Sequence, residues 1–308
     1  MSSSIPRRQF LERCALSAGG AAAALAGGSL PVARAIEPIA RTGKSMFKFS
    51  MAAYSYRDLL EAKPPKTRLT LDDFILDCAK LDLEGTELTS YYFPKEITPE
   101  YLRHVKQLCF RLGLDVSGTA VGNDFCHPAG AERDREIAHV KKWVDYAEIL
   151  GAPVIRIFSG HPHGTSEAEA HKLAVAAIEE CCQYAGEHGV YLALENHGGL
   201  TATPAGLLAL VRDVKSPWFG VNLDTGNFNG ADVYAELEQL APYAINVQIK
   251  VSITPAGGKR QHADFSRLAR IVSDAGYRGY VVLEYEEAED PLVACPKYVD
   301  EMRRAFTA

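Results

Sequence analysis

The chain has 308 residues, 47% of them hydrophobic, and a formal net charge of -6. That length and apolar share suffice for one large domain with its own core and exclude a low-complexity or disordered chain. The acidic balance supplies no basic field for a phosphate backbone, so no nucleic-acid partner is expected, and a small-molecule site is.

Taken from the start, residues 1–35 stand apart. Arg7 and Arg8 in "IPRRQFL" precede the Ala/Gly-rich "CALSAGGAAAALAGGSL" and a small-residue end, "ARA". The pattern resembles a twin-arginine export signal cleaved after Ala35; the alternative is a tail with two chance arginines. No other stretch approaches the ~20 apolar residues of a membrane span. The mature protein is therefore expected to be exported, periplasmic or otherwise extracytoplasmic, with no stable membrane span. Cys14 falls in this segment. Cys78, Cys109, Cys126, Cys181, Cys182 and Cys295 show no CxxC spacing, which argues against a thiolate zinc site. Mostly buried free thiols are expected, and a pairing such as Cys109 with Cys126 stays open.

Residues 36–46 read as a linker, and residues 47–308 as one domain. Here short β-branched or aromatic runs alternate with amphipathic segments of helical period. The expected strands are 47–56, 85–90, 115–121, 153–160, 191–197, 219–227, 245–251 and 279–286. Helical patterns follow each, several opening at Thr, Ser or Asp and several closing at Gly113, Gly151, Gly189 or Gly276. The Trp143, Tyr146 and Ile149 stripe on one of them is ordinary core. Eight strand–helix pairs in ~260 residues match a (β/α)8 TIM barrel. A doubly wound open sheet is the competitor, but no GxGxxG follows the first strand.

Strand alternation then sorts the side chains. Leu192 and Leu194 oppose Ala193, Glu195 and His197; Val221 and Leu223 oppose Asn222 and Asp224. Val247, Ile249 and Val251 oppose Asn246, Gln248 and Lys250, while Val281, Leu283 and Tyr285 oppose Val282, Glu284 and Glu286. Four successive strands thus aim polar groups into the barrel near their C-terminal ends. Glu195, Asp224 and Glu284 would repel one another there unless neutralised. A divalent cation held by Glu195, Asp224, Gln248 and Glu284 resolves the conflict. This oxygen-rich set suits Mn2+ or Mg2+ better than Zn2+, with Co2+ a further alternative. The alternative is an internal ion-pair network, for which Lys250 is the cation these strands supply.

The segments "LENHGG", "NLDTGN", "VQIK" and "VVLEYE", in this order on successive strands, resemble the xylose-isomerase-like TIM-barrel superfamily. Its members include sugar phosphate isomerases and epimerases, D-tagatose 3-epimerase, inosose dehydratase and endonuclease IV. The resemblance covers about residues 47–306. It implies one divalent metal, Mn2+ foremost, on Glu195, Asp224, Gln248 and Glu284, with Glu195 and Glu284 exchanging protons with substrate. A homo-oligomer is an expectation from the family alone. Two positions depart from the family pattern: Gln248 stands where a histidine ligand is usual, and Asn227 stands where "DTGH" has its histidine. The histidines of the endonuclease branch are missing, which argues against DNA repair.

Around this set, Lys250 serves either as internal neutraliser or to hold a substrate oxygen or activate a carbonyl. His197 suits substrate contact or proton shuttling, or else orients a ligand. An inward Arg156 pairs with Glu195 or binds substrate oxygens. His161 and His163 sit on the loop after strand four at the expected active face, where His161 is a candidate for substrate binding or, as is commoner for loop histidines, both are solvated. Tyr54 and Tyr56 form a sugar-stacking wall or fill the barrel, and Glu87 is a supporting acceptor or plain interior. The expected function is a metal-dependent isomerase or epimerase that removes a proton beside a carbonyl of a non-phosphorylated sugar or polyol. On the same site, elimination would make it a 3-keto-glycoside lyase or hydratase, or an inosose-type dehydratase. An exported, non-catalytic sugar-binding protein is the alternative of another class.

Overall fold

Alternating apolar residues on strands that must bury both faces call for helices outside and a closed sheet within, and this is what forms. The structure, a computed structural model, describes residues 37–63 and 68–308. The export segment and the first linker residue lie outside the described residues. Strands β1 (Met46–Ala52), β2 (Gly85–Thr89), β3 (Asp115–Ala120), β4 (Val154–Ile157), β5 (Tyr191–Glu195), β6 (Phe219–Asp224), β7 (Ala244–Lys250) and β8 (Arg278–Glu284) close a barrel. All neighbours run parallel, and β8 pairs with both β7 and β1. The intervening helices are α1 (Leu71–Lys80), α2 (Pro99–Arg111), α3 (Ala131–Leu150), α4 (Glu167–Glu187), α5 (Pro204–Asp213), α6 (Val233–Leu240), α7 (Phe265–Asp274) and α8 (Pro291–Thr307). The fold is a (β/α)8 TIM barrel.

Local chemistry fixes where each helix starts. Thr70 and Asp73 form a reciprocal capping box at α1, and Thr98 and Thr203 cap helices whose first residue is proline. Asp232, Asp264 and Asp290 cap α6, α7 and α8. Each such cap contributes ~1 kcal/mol. The outward residues Leu192, Leu194, Val221, Leu223, Val247, Ile249, Val281 and Leu283 are buried beneath the helices. Each stabilises the barrel by roughly 1.5–3 kcal/mol and leaves the opposite side chains pointing inward.

Several strands end earlier than their apolar runs, because polar side chains take over the backbone. Asn123 donates to Phe158 O and accepts from Phe158 N, closing β4. Asn196 does the same to Asp224, donating to its O and accepting from its N. After β1 the chain turns into a 3-10 helix, Ala53–Tyr56. Ser55 holds this turn against β8, donating to Leu283 O and accepting from Tyr285 N. Tyr56 is thereby carried out of the barrel mouth and buried edge-on against Phe74, 5.2 Å between ring centres.

Residues 37–45, expected as a linker, make specific contacts: Ile39 N donates to Pro242 O, and the Arg41 guanidinium to Ala244 O at 2.7 Å. A short antiparallel ribbon, Ser252–Ile253 with Gln261–His262, lies in the loop after β7 and was not foreseen. Cys78, Cys109, Cys126, Cys181, Cys182 and Cys295 are all buried free thiols, so Cys109 and Cys126 are not paired. Among the described residues no helix is long and apolar enough to cross a membrane.

Candidate active site

Inward alternation on β4 to β8 places Arg156, Glu195, Asp224, Lys250 and Glu284 at the C-terminal mouth, each at most 7% exposed. They meet as ion pairs. Arg156 Nε lies 2.9 Å from Glu195 Oε2, and its Nη1 donates to Val121 O at 2.6 Å. Lys250 Nζ lies 2.6 Å from Glu284 Oε2, 2.9 Å from Glu286 Oε1 and 3.5 Å from Asp224 Oδ2. Asn227 donates its amide to Glu195 Oε1 at 2.8 Å, and its backbone N–H and that of Gly226 both donate to Asp224 Oδ1. Gly226 is required by contact: a Cβ there would lie 2.6 Å from Lys250 Cγ.

The carboxyls are not equivalent. Burial pushes Glu195 up to about 7, with Arg156 pulling the other way. Burial also holds Asp224 well above the ordinary carboxylate range despite Lys250. Asp224 Oδ2 is buried and accepts no hydrogen bond among the described residues, with Lys250 Nζ 3.5 Å away as its nearest cation. Glu284 resists burial and lies below the usual value because Lys250 and Arg156 favour its charged form. Lys250 stays protonated: burial opposes the charge, but Asp224, Glu284, Glu286 and Glu195 outweigh it.

Beneath this rim lies a floor of three amides around one acid, Glu87. A register shift between Thr86 and Glu87 in the β2–β3 pairing accompanies the turn of Glu87 into the barrel. There Glu87 accepts from Asn246 Nδ2 at 2.8 Å and Gln248 Nε2 at 2.6 Å. Asn222 donates to Gln248 Oε1 at 2.6 Å and accepts from Asn246. Burial, then repulsion from Glu284, raises Glu87 to about 7 against the two amide donors.

The structure thus brings Glu195, Asp224, Glu284, Lys250, Arg156 and Asn227 together. It does not bring Gln248 to the carboxylates as a free oxygen donor, because its amide is committed to Asn222 and Glu87. Both Glu195 oxygens are likewise engaged, and the Lys250 ammonium stands beside Glu284 and Asp224. A hard divalent ion needs about six oxygens around an open centre. The arrangement does not fit the expected four-ligand ion.

Tyr54 is half-buried with its ring 5.9 Å from Lys250 Nζ, whereas Tyr56 lies in the core behind the mouth. His197 is exposed and packs on Phe158, itself stacked under Arg156. His161 is exposed, its N–H donating to Asp124. His163 belongs to a separate rim group that could hold a metal: its ligating atoms and those of Asp124 and His127 lie within 4.8 Å. The two imidazoles stack in parallel at 4.0 Å, so their in-plane lone pairs do not converge and one ring must turn to share an ion. Sequence reasoning missed the Asn196 clamp and the joint role of Asn222 and Asn246. The inward position of the last two was the only available signal.

Comparison with known proteins agrees with this architecture. A family model described as xylose isomerase-like TIM barrel matches residues 75–304. Among solved structures, a D-psicose 3-epimerase from Clostridium cellulolyticum H10 is 15% identical, covering 84% of this chain and 99% of its own, with a TM-score of 0.70. A 3-keto-D-glucoside 4-epimerase from E. coli is 15% identical over 84% and 99%, with a TM-score of 0.66. A probable 3-DHS dehydratase from Bacillus anthracis is 18% identical over 85% and 99%, with a TM-score of 0.61. No curated protein matches the chain.

Proposed function

The chain belongs to the xylose isomerase-like TIM barrel family, and on that premise we propose that it is a sugar isomerase or epimerase that moves a proton next to a carbonyl. One observation carries this: two buried carboxyls, Glu195 beside Arg156 and Glu284 beside Lys250, share one barrel mouth, where burial raises Glu195 to about 7 while Lys250 holds Glu284 below its usual value. Glu284 takes the proton from the carbon beside the carbonyl, leaving an enediolate. Protonated Glu195 returns a proton to the opposite face, giving the epimer, and solvent restores both groups. The epimerases and the dehydratase of like fold support this class of chemistry. Where a leaving group stands β to the carbanion, the same first step ends in elimination.

The charge of the mouth bears on substrate class. Lys250 and Arg156 are already paired within the protein, and Glu286 adds a further carboxylate at the rim. A phosphate dianion would meet repulsion there, so the substrate is a free ketose, inosose or oxidised glycoside. The export signal proposed for residues 1–35 agrees, since sugar phosphates are mainly cytosolic. The test is NMR in D2O with a panel of free ketoses, inososes and 3-keto-glucosides. Deuterium should enter beside the carbonyl, with the product separating epimerisation from elimination. Absence of exchange across the panel by folded protein would reject the reading.

A further inference from the structure

The geometry points to Lys250 as a built-in replacement for a divalent ion at this site: its ammonium, set among Asp224, Glu284 and Glu286, neutralises the carboxylates and serves as the electrophile for the substrate carbonyl. The inference rests on the isomerase reading for the second role only; the first concerns the folded protein alone.

Three observations carry it. Lys250 Nζ lies 2.6 Å from Glu284 Oε2, 2.9 Å from Glu286 Oε1 and 3.5 Å from Asp224 Oδ2, the position from which a cation would engage those carboxyls. Its path there is built in, because Gly226 leaves room for the lysine stem where a Cβ would collide with it. The side chain nominated as fourth ligand, Gln248, spends its oxygen on Asn222 and its nitrogen on Glu87 one layer below. Two inward cations, Lys250 and Arg156, are thus set directly against the carboxyls of Glu195, Asp224, Glu284 and Glu286. A metal cation entering beside the ammonium would meet direct repulsion. In turnover, the Lys250 N–H groups hydrogen-bond the carbonyl oxygen and hold the enediolate charge after Glu284 removes the carbon-bound proton. The ammonium keeps its own protons, and atoms and charge balance without a further reagent.

Mn2+ itself is the probe, followed in full-length protein by the electron paramagnetic resonance of the free ion. The wild type should show no stoichiometric Mn2+ uptake below about 1 mM that Asp224→Asn abolishes, uptake by Asp124, His127 and His163 being common to both proteins; Lys250→Met should bind one further equivalent at least about tenfold more tightly, and Lys250→Arg should not gain. Uptake of one equivalent by the wild type at micromolar Mn2+, lost in Asp224→Asn, would overturn the inference, as would a folded Lys250→Met with no gain. If Lys250→Met does not fold, wild-type deuterium exchange after exhaustive chelation decides. Undiminished exchange upholds the inference; loss restored by Mn2+ overturns it. If the wild type exchanges no sugar, the isomerase reading fails while the Mn2+ titration still decides what Lys250 does.

Discussion

The rim and the floor of the barrel interior lie one layer apart and solve the same burial problem in opposite ways. At the rim, carboxyls face cations directly, Arg156 beside Glu195 and Lys250 beside Glu284 and Glu286, and Lys250 holds Glu284 below its usual value. On the floor, Glu87 accepts from two neutral amides, Asn246 and Gln248, and burial and repulsion from Glu284 raise its proton affinity against them. A cation in direct contact holds Glu284 below its usual value, whereas the amide donors hold a shape and only partly offset the burial of Glu87. The rim is therefore where chemistry belongs and the floor is what aligns it. Substitutions should separate the two.

The largest effect is expected for Glu284→Gln, which removes the ionised base and keeps its volume. Exchange and turnover should fall about a thousandfold, ~4 kcal/mol of barrier, while circular dichroism shows the fold retained at a lower melting temperature, since Lys250 loses its nearest anion and keeps Glu286 and Asp224. Full activity in this variant would reject the proton-transfer assignment. Next comes Arg156→Ala. It strips a buried carboxyl of its charge partner and abandons the Val121 carbonyl, so denaturant unfolding should register a loss of about 3–5 kcal/mol. A loss below 1 kcal/mol would mean that Glu195 is already neutral in the folded protein.

The rim was largely legible in the sequence and the floor was not. Period-two alternation on β5 to β8 is a local signal, and it sorted Leu192 and Leu194 from Glu195, and Val281 and Leu283 from Glu284. Arg156 had Glu195 among its expected partners, because an inward arginine needs an anion. Gln248 looked like a ligand, since what its amide does depends on Glu87, 161 residues away, turned inward at a register shift that no local pattern announces. Tyr56 was misplaced for a related reason. The apolar run continues past Ala52, but Ser55 binds β8 and ends the strand, so alternation no longer tells where the following side chains point.

On the floor, Glu87→Gln tests whether neutrality is preferred, and its effect depends on pH. Glu87 titrates at about 7 when folded, against an ordinary value of 4.5. Below 4.5 it is protonated in both states and costs nothing. As pH rises toward 7 only the unfolded chain ionises freely, so the fold loses stability, up to about 3 kcal/mol above pH 7. The variant should therefore match or trail the wild type at pH 4 and gain on it steadily to pH 8. Joint rotation of the Gln248 and Asn222 amides can supply the acceptor that the new amide needs. Chemical denaturation at both pH values reads the difference. A constant offset between the two proteins would show that Glu87 ionises normally.

The smallest effect belongs to the residue that ties the rim's two acids together. Asn227 reaches Glu195 through its side chain and Asp224 through its backbone N–H, so Asn227→Ala removes only the first link. A loss of about 1 kcal/mol in denaturant unfolding follows from one hydrogen bond to a partly charged carboxyl. Asn227→Asp keeps the size of the side chain but sets a carboxylate against Glu195, and should cost more than the alanine change despite being closer in shape. That ordering would mark the rim as governed by charge. The reverse ordering would mean that side-chain shape outweighs charge there, and that the two layers differ less than their ion pairs suggest.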